Sequence, residues 1–310
     1  MNTKPRIAVL CGGNFAFPSI QILALENYLV AVGVGSGEKQ FNELLKTETL
    51  NAGIEFKEFS DSKSVSQLDE WLTEVSADLV FSICFPFRIP QSVIERLTGK
   101  CINFHSGPLP AYRGPMPIFE VLRNGETETA VSVHLMNERF DEGPILLLET
   151  VPIANNETFG SLAQKLSERT SMVTLNVAQM LEFGTANLFQ AQSAENSGYY
   201  DKPLASDTRI KWNSMQAVEI IALINSCNPW NNGAQTSLNG RELNILSALV
   251  IDSSHAAVPG TILGIDSTNG LRVACIDDQQ LEILIVKDES GFRKGSELFT
   301  YSRSETRFLE

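Results

Sequence analysis

The sequence predicts an α/β protein in two parts, a Rossmann-like, mostly parallel sheet domain followed by a small C-terminal β-barrel of OB-like type. Three observations predict it. In the first half, short apolar runs alternate with amphipathic stretches of about 10 to 15 residues, which is typical of βαβ units. In the final third, short strand-like runs follow one another between turn residues, as in small barrels. A polar segment rich in small residues separates the two patterns.

The first half contains three buried strands, each followed by or preceded by a helix. The predicted strands are Arg6 to Cys11, Tyr28 to Val34 and Leu79 to Cys84, and the predicted helices are Pro18 to Glu26, Asn42 to Ala52 and Ser64 to Val75. Strands that are apolar on both faces indicate a parallel sheet covered by helices, and ligands of such sheets bind beyond the carboxyl ends of the strands. The turn CGGNFAFPS, which contains Gly12 and Asn14, lacks the G-x-G-x-x-G spacing and is interpreted as a tight turn into the first helix.

The rest of the chain completes the sheet and then changes pattern. We expect strands at Val131 to Met136 and Ile145 to Ile153 and a long helix from Phe159 to about Gly184. Beyond a helix at Ser214 to Ser226 the predicted strands are Ala234 to Leu238, Glu242 to Val250, Gly260 to Ile265, Leu271 to Ile276 and Leu281 to Lys287. The expected boundaries are a catalytic domain at 1–190, a linker at 191–206 and a β-barrel domain at 207–310.

Composition narrows the class of protein. The chain has 310 residues, is 43% hydrophobic and carries a net charge of −13, so it can bury a sizeable core but does not favour a phosphate-rich partner. Five scattered cysteines without a C-x-x-C spacing indicate reduced thiols rather than a disulfide framework or a zinc site. No stretch approaches the roughly 20 apolar residues of a membrane span. A cytoplasmic protein without a membrane partner is therefore expected.

The stretch CINFHSGPLPAYRG ends an apolar strand in polar side chains. Asn103 and His105 lie two residues apart and therefore point to the same side of the strand. Asp141 follows in a loop, MNERFDEGPILL. Asn can donate to an oxyanion, His can exchange a proton near neutral pH, and Asp can orient the imidazole and raise its pKa. From spacing alone, the alternative that Asn103 and His105 only satisfy backbone groups stays open.

The block CINFHSGPLPAYRGPMPIFEVLRNGETETAVSVHLMNERFDEGPILL resembles the central block of the 10-formyltetrahydrofolate-dependent formyltransferases, with an N-x-H strand end, a Y/F-R-G, an N-G-x-x-E-T and a D-x-G. The first strand and turn, RIAVLCGGNFAFPSIQIL, resemble the first βα unit of that family. RIKWNSMQAVEIIALINSCNPWNNGAQTSLNGRELNILSALV with PGTIL resembles the C-terminal barrel of the methionyl-tRNA formyltransferases and their relatives. The resemblance covers essentially the whole chain.

The resemblance implies a set of roles. Asn103 and His105 would polarise the formyl oxygen, and Asp141 would set the protonation of His105, without a metal. The folate, 10-formyltetrahydrofolate, would lie against Phe85, Pro86, Phe87, Arg88 and Ile89 and against the loop residues Ser106, Gly107, Leu109 and Pro110. The acceptor would contact Arg113, Gly12 and Asn14. Two alternatives stay open: that the aromatic residues are ordinary core, and that Arg113 pairs with a local carboxylate instead of a ligand.

The chain departs from the family at two places. Ser106-Gly107-Pro108-Leu109-Pro110 stands where the family has S-L-L-P, and GSGEKQFNELLKTETLN stands where the tRNA-specific members have a basic insert. Both parts of the chain are acidic, with 9 Lys and Arg against 13 Asp and Glu from residue 206 onward. The expected acceptor is therefore the primary amine of a small molecule, an amino-sugar nucleotide or an amino acid derivative, with initiator methionyl-tRNA as the alternative. A formyl-folate hydrolase and a non-catalytic folate-binding protein are less favoured, and His134 and His255 are interpreted as structural.

Overall fold

A computed structural model gives the fold and describes residues 4–35, 37, 39–185, 189–265, 270–301 and 307–309. The chain divides into two compact units. The first contains residues 1–114, 129–151 and 163–200, and the second contains residues 115–128, 152–162 and 201–310. Residues 191–200, expected to lie in a linker, belong to the first unit, and the short segments 115–128 and 152–162 belong to the second.

A seven-stranded sheet forms the centre of the first unit, in the order β3-β2-β1-β4-β5-β6-β7. Its strands are β1 (Ile7–Cys11), β2 (Leu29–Gly35), β3 (Glu55–Phe59), β4 (Leu79–Ile83), β5 (Cys101–His105), β6 (Glu128–Leu135) and β7 (Ile145–Pro152). β1 to β5 are parallel, and β6 runs antiparallel to β5. The predicted mostly parallel, Rossmann-like sheet is confirmed. It places the carboxyl ends of β1, β4 and β5 along one edge.

Of the helices before the second unit's barrel, three were predicted near their observed bounds, a fourth predicted helix is divided in two, and two short helices, at 91–96 and 117–123, were not predicted. They are α1 (Phe17–Leu25), α2 (Lys39–Asn51), α3 (Ser62–Val65), α4 (Leu68–Glu74), α5 (Gln91–Arg96), α6 (Pro117–Arg123) and α7 (Phe159–Glu182). The single helix expected at 64–75 is two helices: α3 begins at a capping box formed by Asp61 and Ser64, and α4 begins separately at Leu68. β3 was not predicted, since this outermost strand buries only Phe59 fully and its sequence shows no apolar run.

The second unit is built on an antiparallel sheet in the order β10-β11-β12-β9-β8-β14, with β13 paired to β12. Its elements are α8 (Ala217–Ser226), β8 (Ala234–Leu238), β9 (Arg241–Ile251), β10 (Ile262–Ile265), β11 (Leu271–Ala274), β12 (Gln280–Asp288), β13 (Gly291–Lys294) and β14 (Phe308–Leu309). A bridge between Thr261 and Arg307 joins the two ends of this order, so the sheet curls into a barrel. The expected C-terminal antiparallel domain is confirmed.

The barrel surrounds its own apolar core. Trp212 is fully buried, and its indole N–H donates to Thr236 Oγ1 over 2.9 Å while its ring stacks on Phe308 at 5.4 Å between centroids. Its one polar atom is therefore satisfied, as a buried indole requires. α6 packs against α8 in this unit, with Phe119 in the same cluster. Within the described ranges, no helix is long and apolar enough to cross a bilayer.

Candidate active site

The polar cluster lies at the carboxyl end of β5 and is built from two neighbouring strands and a loop. Asn103 and His105 face the same side of β5, and the antiparallel register pairs them with His134 and Ser132 of β6. Asp141 enters from the loop that follows β6, with a backbone φ of +57°. Asp and Asn tolerate this left-handed conformation better than most residues, so the loop can present a carboxylate there. The strand pairing thus brings together residues that lie about 30 to 40 positions apart.

The three residues expected to act together do converge. Asp141 Oδ1 lies 3.4 Å from Asn103 Nδ2 and 3.6 Å from His105 Nδ1. Asp141 Oδ2 accepts the backbone N–H of Gly114 over 3.0 Å, which holds the carboxylate in place. His105 Nε2 donates to the backbone carbonyl of Tyr112 over 2.6 Å. Because a carbonyl oxygen can only accept, this bond leaves Nδ1 of a neutral His105 with a free lone pair.

The electrostatics of the cluster favour a charged carboxylate beside a neutral imidazole. Burial raises the pKa of Asp141, but nearby His105, the neighbouring His134 and the Gly114 N–H together lower that pKa to about 2. Burial lowers the pKa of His105, and the opposing influence of Asp141 and the Tyr112 carbonyl does not restore it. Asp141 was expected to raise the pKa of this imidazole. It does so, but the desolvation of a ring that is only 6% exposed outweighs it.

His134 is a fourth member of the cluster that the sequence interpretation assigned to structure alone. Its Nε2 lies 3.1 Å from Asn103 Nδ2 and 3.5 Å from Asp141 Oδ1, and its Nδ1 lies 2.8 Å from the Leu135 carbonyl. The second isolated histidine, His255, lies in the second unit, where Nε2 contacts the Gln279 carbonyl over 2.9 Å. Two polar residues at alternate positions of the otherwise apolar run VSVHLM were the available sequence signal for Ser132 and His134.

Ser132 holds the loop that follows β5. Its hydroxyl donates to the Gly107 carbonyl over 2.7 Å and accepts the Leu109 N–H over 3.1 Å. Ser132 is fully buried, so water cannot take its place as the hydrogen-bond partner of these two backbone groups. Ser106, Gly107 and Leu109 are buried and Pro110 is half-buried. One side chain thus binds the backbone on both sides of Pro108, within the loop that departs from the family sequence.

The segment after β4 is partly open and partly core. Phe85 and Phe87 are half-buried and meet edge to face with their ring centroids 5.7 Å apart, while Pro86 and Arg88 are exposed. Arg88 donates to the Glu138 carbonyl and lies over the Phe140 ring. Ile89 is only 4% exposed and packs in the core of the first unit. The expectation that Ile89 walls a ligand site therefore has no support in the geometry, because its side chain is enclosed.

The three residues expected at the acceptor lie in different surroundings. A Cβ on Gly12 would lie 2.5 Å from the Cys84 carbonyl oxygen, so Gly12 permits close contact between the first turn and the segment after β4. Asn14 is exposed at the start of a short 3-10 helix, and no contact among the described residues connects it to the cluster. Arg113 is engaged inside the unit, with Glu142 Oε1 3.6 Å from its Nη1. The open alternative of a local carboxylate partner therefore fits Arg113.

Gln192 joins the loops on either side of the cluster. Its Oε1 accepts from Arg113 Nε and Nη2 over 3.1 and 2.7 Å. Its Nε2 donates to the carbonyls of Asp141 and Gly143 over 2.7 and 2.8 Å. All four hydrogen bonds of the amide therefore go to the loops that follow β5 and β6. Sequence reasoning missed it because residue 192 falls in a polar segment without periodicity.

These features define the class of protein. An Asn, a neutral His and a charged Asp at the carboxyl edge of a parallel sheet can polarise a carbonyl and move a proton, which suits group transfer without a covalent enzyme intermediate. Across the described ranges, no three His, Cys, Asp or Glu side chains are grouped so that they could hold a metal ion. The five cysteines are free.

Comparisons with known proteins agree with this class. Residues 5–177 match the formyl transferase family, and residues 204–300 match the formyl transferase C-terminal domain. The methionyl-tRNA formyltransferase of Syntrophus aciditrophicus is 31% identical over 309 residues, which cover 95% of this chain and 98% of that protein. The methionyl-tRNA formyltransferase of Stenotrophomonas maltophilia is 28% identical over 283 residues, 89% of this chain and 91% of the relative.

A solved structure shares the fold. The N-formyltransferase of Helicobacter canadensis, in complex with folinic acid and dTDP-3-aminofucose, superposes with a TM-score of 0.69 at 17% identity, covering 90% of this chain and 98% of the other. The chain belongs to the formyl transferase family, and the enzyme class expected from the sequence is confirmed.

Proposed function

We propose that this protein transfers the formyl group of 10-formyltetrahydrofolate to a primary amine. The observation that carries the proposal is the convergence of Asn103, His105 and Asp141 at the end of β5, in a chain that matches formyltransferases in both of its units. The donor is supported by the folate compounds bound to fold relatives, folinic acid in one and tetrahydrofolic acid in another. The five free cysteines support a cytoplasmic location as part of the same proposal.

The roles follow from the hydrogen-bonding capacity of each side chain. The acceptor amine forms a bond to the formyl carbon, and Asn103 donates an N–H to the oxygen on which negative charge develops. His105 receives a proton from the attacking nitrogen at Nδ1, the atom with the free lone pair. Asp141, 3.6 Å from Nδ1, stabilises the resulting imidazolium. The bond between the formyl carbon and N10 then breaks as N10 takes a proton from His105, and tetrahydrofolate leaves.

Two energetic contributions, the orientation of the reactants and the oxyanion donor, are large enough to account for catalysis by such a site. Holding two reactants together in the correct orientation lowers a barrier by up to about 7 to 11 kcal/mol. Loss of one oxyanion donor costs about 2.7 to 4 kcal/mol. Most of the rate enhancement would then come from binding both substrates against the edge of the sheet. Asn103 and His105 would contribute a smaller, specific share.

The proposed folate site is the space bordered by the segment after β4 and by the loop after β5. Phe85 and Phe87 offer half-buried aromatic surface, and the loop residues Ser106 to Pro110 offer backbone groups for the edge of a pterin. Ser132 keeps that loop in one conformation. Pro86 and Arg88 remain in the proposal as exposed residues of the same segment, whereas Ile89 supports it from the core.

For the acceptor, we propose initiator methionyl-tRNA, which was the alternative in the sequence analysis. The support is the full-length similarity to methionyl-tRNA formyltransferases, which includes the second unit and reaches 31% identity. The amino-sugar formyltransferases resemble this chain in fold at less than 20% identity, so they support the choice less strongly. The amine of a methionyl ester is also a primary amine and needs no change in the proposed chemistry.

A small-molecule amine remains the second candidate, because two observations on charge favour it. The net charge is −13, and the stretch after β2 contains no basic cluster where tRNA-specific members have one. Residues 36 and 38 of that stretch lie outside the described residues. A tRNA held by few Lys and Arg contacts would bind weakly and with a shallow dependence on salt.

A paired assay tests both candidates. The purified protein is incubated with formyl-folate and either charged initiator tRNA or an amino-sugar nucleotide, and formylated product is quantified by mass spectrometry at low and moderate salt. We expect formyl-methionyl-tRNA, with uncharged tRNA as the blank and His105→Ala as the inactive control. Formylated sugar nucleotide without formyl-methionyl-tRNA would replace the first acceptor by the second, and no product with either would refute the proposed transfer to these amines.

A further inference from the structure

The side-chain amide of Asn103 has two neighbours, Asp141 and His134, and each accepts a hydrogen bond from its N–H2 group. Asp141 Oδ1 lies 3.4 Å from Nδ2, and a carboxylate can only accept hydrogen bonds. His134 Nε2 lies 3.1 Å from the same nitrogen. An amide turned the other way would place its oxygen against the charged carboxylate. The carbonyl end of Asn103 therefore points away from Asp141.

His134 Nε2 accepts a hydrogen bond because the other ring nitrogen is committed. Nδ1 lies 2.8 Å from the backbone carbonyl of Leu135, which only accepts, so Nδ1 carries the proton. In a neutral imidazole this leaves the lone pair on Nε2. Nε2 lies 3.1 Å from Asn103 Nδ2 and 3.5 Å from Asp141 Oδ1, and only the amide can donate to it. His134 is buried within β6, so the ring has no water to provide a different partner.

Gly143 helps to place the carbonyl that sets this tautomer. A Cβ at position 143 would lie 1.7 Å from the Leu135 carbonyl oxygen and 3.4 Å from His134 Nδ1. The backbone of residue 143 therefore packs directly against that carbonyl. In addition, the Leu135 N–H donates to the Pro144 carbonyl over 2.9 Å. The glycine of the D-x-G motif thus has a physical role two residues away from the aspartate.

We infer that His134 is a positioning residue: through the lone pair on Nε2 it fixes the amide of Asn103 with its N–H groups turned into the site. The inference rests on the proposed function, because it assigns the second Asn103 N–H to the formyl oxygen. One N–H is committed to His134 at 3.1 Å. The other faces Asp141 across 3.4 Å, a long contact that an incoming oxyanion can replace.

The two ring nitrogens can be tested separately with a matched pair of substitutions. His134→Asn places an amide near the position of Nδ1, so it retains the Leu135 contact and loses the acceptor for Asn103. His134→Gln reaches the position of Nε2, so it supplies an acceptor oxygen to Asn103. His255→Asn, in the second unit, is the control for replacing a partly buried histidine.

We expect His134→Asn to lower kcat by roughly tenfold, the effect of one hydrogen bond in a buried site, with KM for formyl-folate changed by less than about twofold. We expect His134→Gln to recover most of the loss and His255→Asn to have native kinetics. In an Asn103→Ala background, His134→Asn should cause no further loss, because the residue acts through Asn103. Equal losses in both His134 variants, or full additivity with Asn103→Ala, would overturn the inference.

The tautomer of His134 can also be measured on the native chain. This measurement depends neither on activity nor on the correct folding of a variant. The protein has three histidines, so nitrogen-15 spectra of the imidazole rings can be assigned with single substitutions. We expect the His134 ring to carry its proton on Nδ1 with Nε2 unprotonated, and a proton on Nε2 would overturn the inference. An inactive native protein that showed the Nδ1–H tautomer would count against the proposed function and still support the positioning of Asn103.

Discussion

Replacement of Asp141 by Asn removes one negative charge from the cluster and places an N–H2 group where Oδ1 faces Asn103 and His105. Asn tolerates the backbone φ of +57° found at this position. Its side-chain oxygen can still accept the Gly114 N–H, which Asp141 Oδ2 accepts over 3.0 Å. The Gln192 contact to the residue 141 carbonyl is a backbone contact and is also kept. The effect of Asp141→Asn therefore measures the loss of the carboxylate, both its charge and the acceptor that Oδ1 offers to Asn103.

The size of the stability effect follows from the pKa of Asp141. That pKa is about 2, against an ordinary value of 3.8. At about 1.36 kcal/mol per pKa unit, the ionised carboxylate contributes about 2 kcal/mol to folding. The side chain is 11% exposed, so screening by solvent is small. Because the folded-state pKa is depressed, this contribution is fully present above pH 3.8 and is lost as the pH falls toward 2.

The rate effect has a separate cause. Without the carboxylate, the imidazolium that forms on His105 loses its counter-charge, and we expect transfer to fall by on the order of 10²-fold or more. Asp141 raises the pKa of His105 in the native protein, so the variant also holds this ring more strongly in its neutral form. Both changes oppose the proton transfer on which the proposed reaction depends.

Two measurements check this prediction. Formyl transfer is assayed for native and variant protein near neutral pH. Urea unfolding is followed by hydrogen exchange of β5 and β6 amides, which report on the unit that contains Asp141, near neutral pH and at about pH 3. We expect the stability difference to be largest near neutral pH and to shrink in acid. A difference that is the same at both pH values, or a near-native rate, would refute the reasoning.

Three further substitutions have distinct expected outcomes. His105→Ala should lower transfer by on the order of 10²-fold or more in protein that remains folded by circular dichroism, and near-native turnover would exclude the proposed proton transfer. Ser132→Ala leaves the Gly107 carbonyl and the Leu109 N–H without their partner, so we expect a loss of about 1 to 3 kcal/mol in urea unfolding and a raised KM for formyl-folate, whereas an unchanged KM would separate this loop from folate binding. Gln192→Ala should lower kcat by loosening the loop around Asp141, and a kcat equal to that of the native enzyme would show that the loop holds its position without Gln192.

Local patterns in the sequence predicted the sheet and the central trio. Alternation of apolar runs and helices is a property of neighbouring residues, so β1, β2, β4 and the barrel strands β8 to β12 were found without any tertiary information. The N-x-H at the end of β5 was recognised because two polar residues in a buried strand are exceptional. β3 was missed because an outer strand with mixed polarity has no such pattern.

Partners that are distant in the sequence were not predictable. His134 and Ser132 occupy a strand whose pairing with β5 depends on register, and their neighbours become known only when that register is known. Gln192 acts through its side-chain amide on two loops, although its own segment has no regular structure. Ile89 was expected to face a ligand, but the tertiary structure buries its side chain in the core.

The sequence by itself determined the class of fold, the presence of an Asn–His–Asp group and the resemblance to formyltransferases, because these depend on composition, periodicity and spacing. The tertiary structure alone decided the protonation pattern of the group. The Tyr112 carbonyl sets which nitrogen of His105 is free, and the Leu135 carbonyl does the same for His134. Burial outweighs Asp141 in the pKa of His105. Tautomers and pKa values depend on distances of a few ångströms between groups far apart in the chain, and no local pattern of residues encodes those distances.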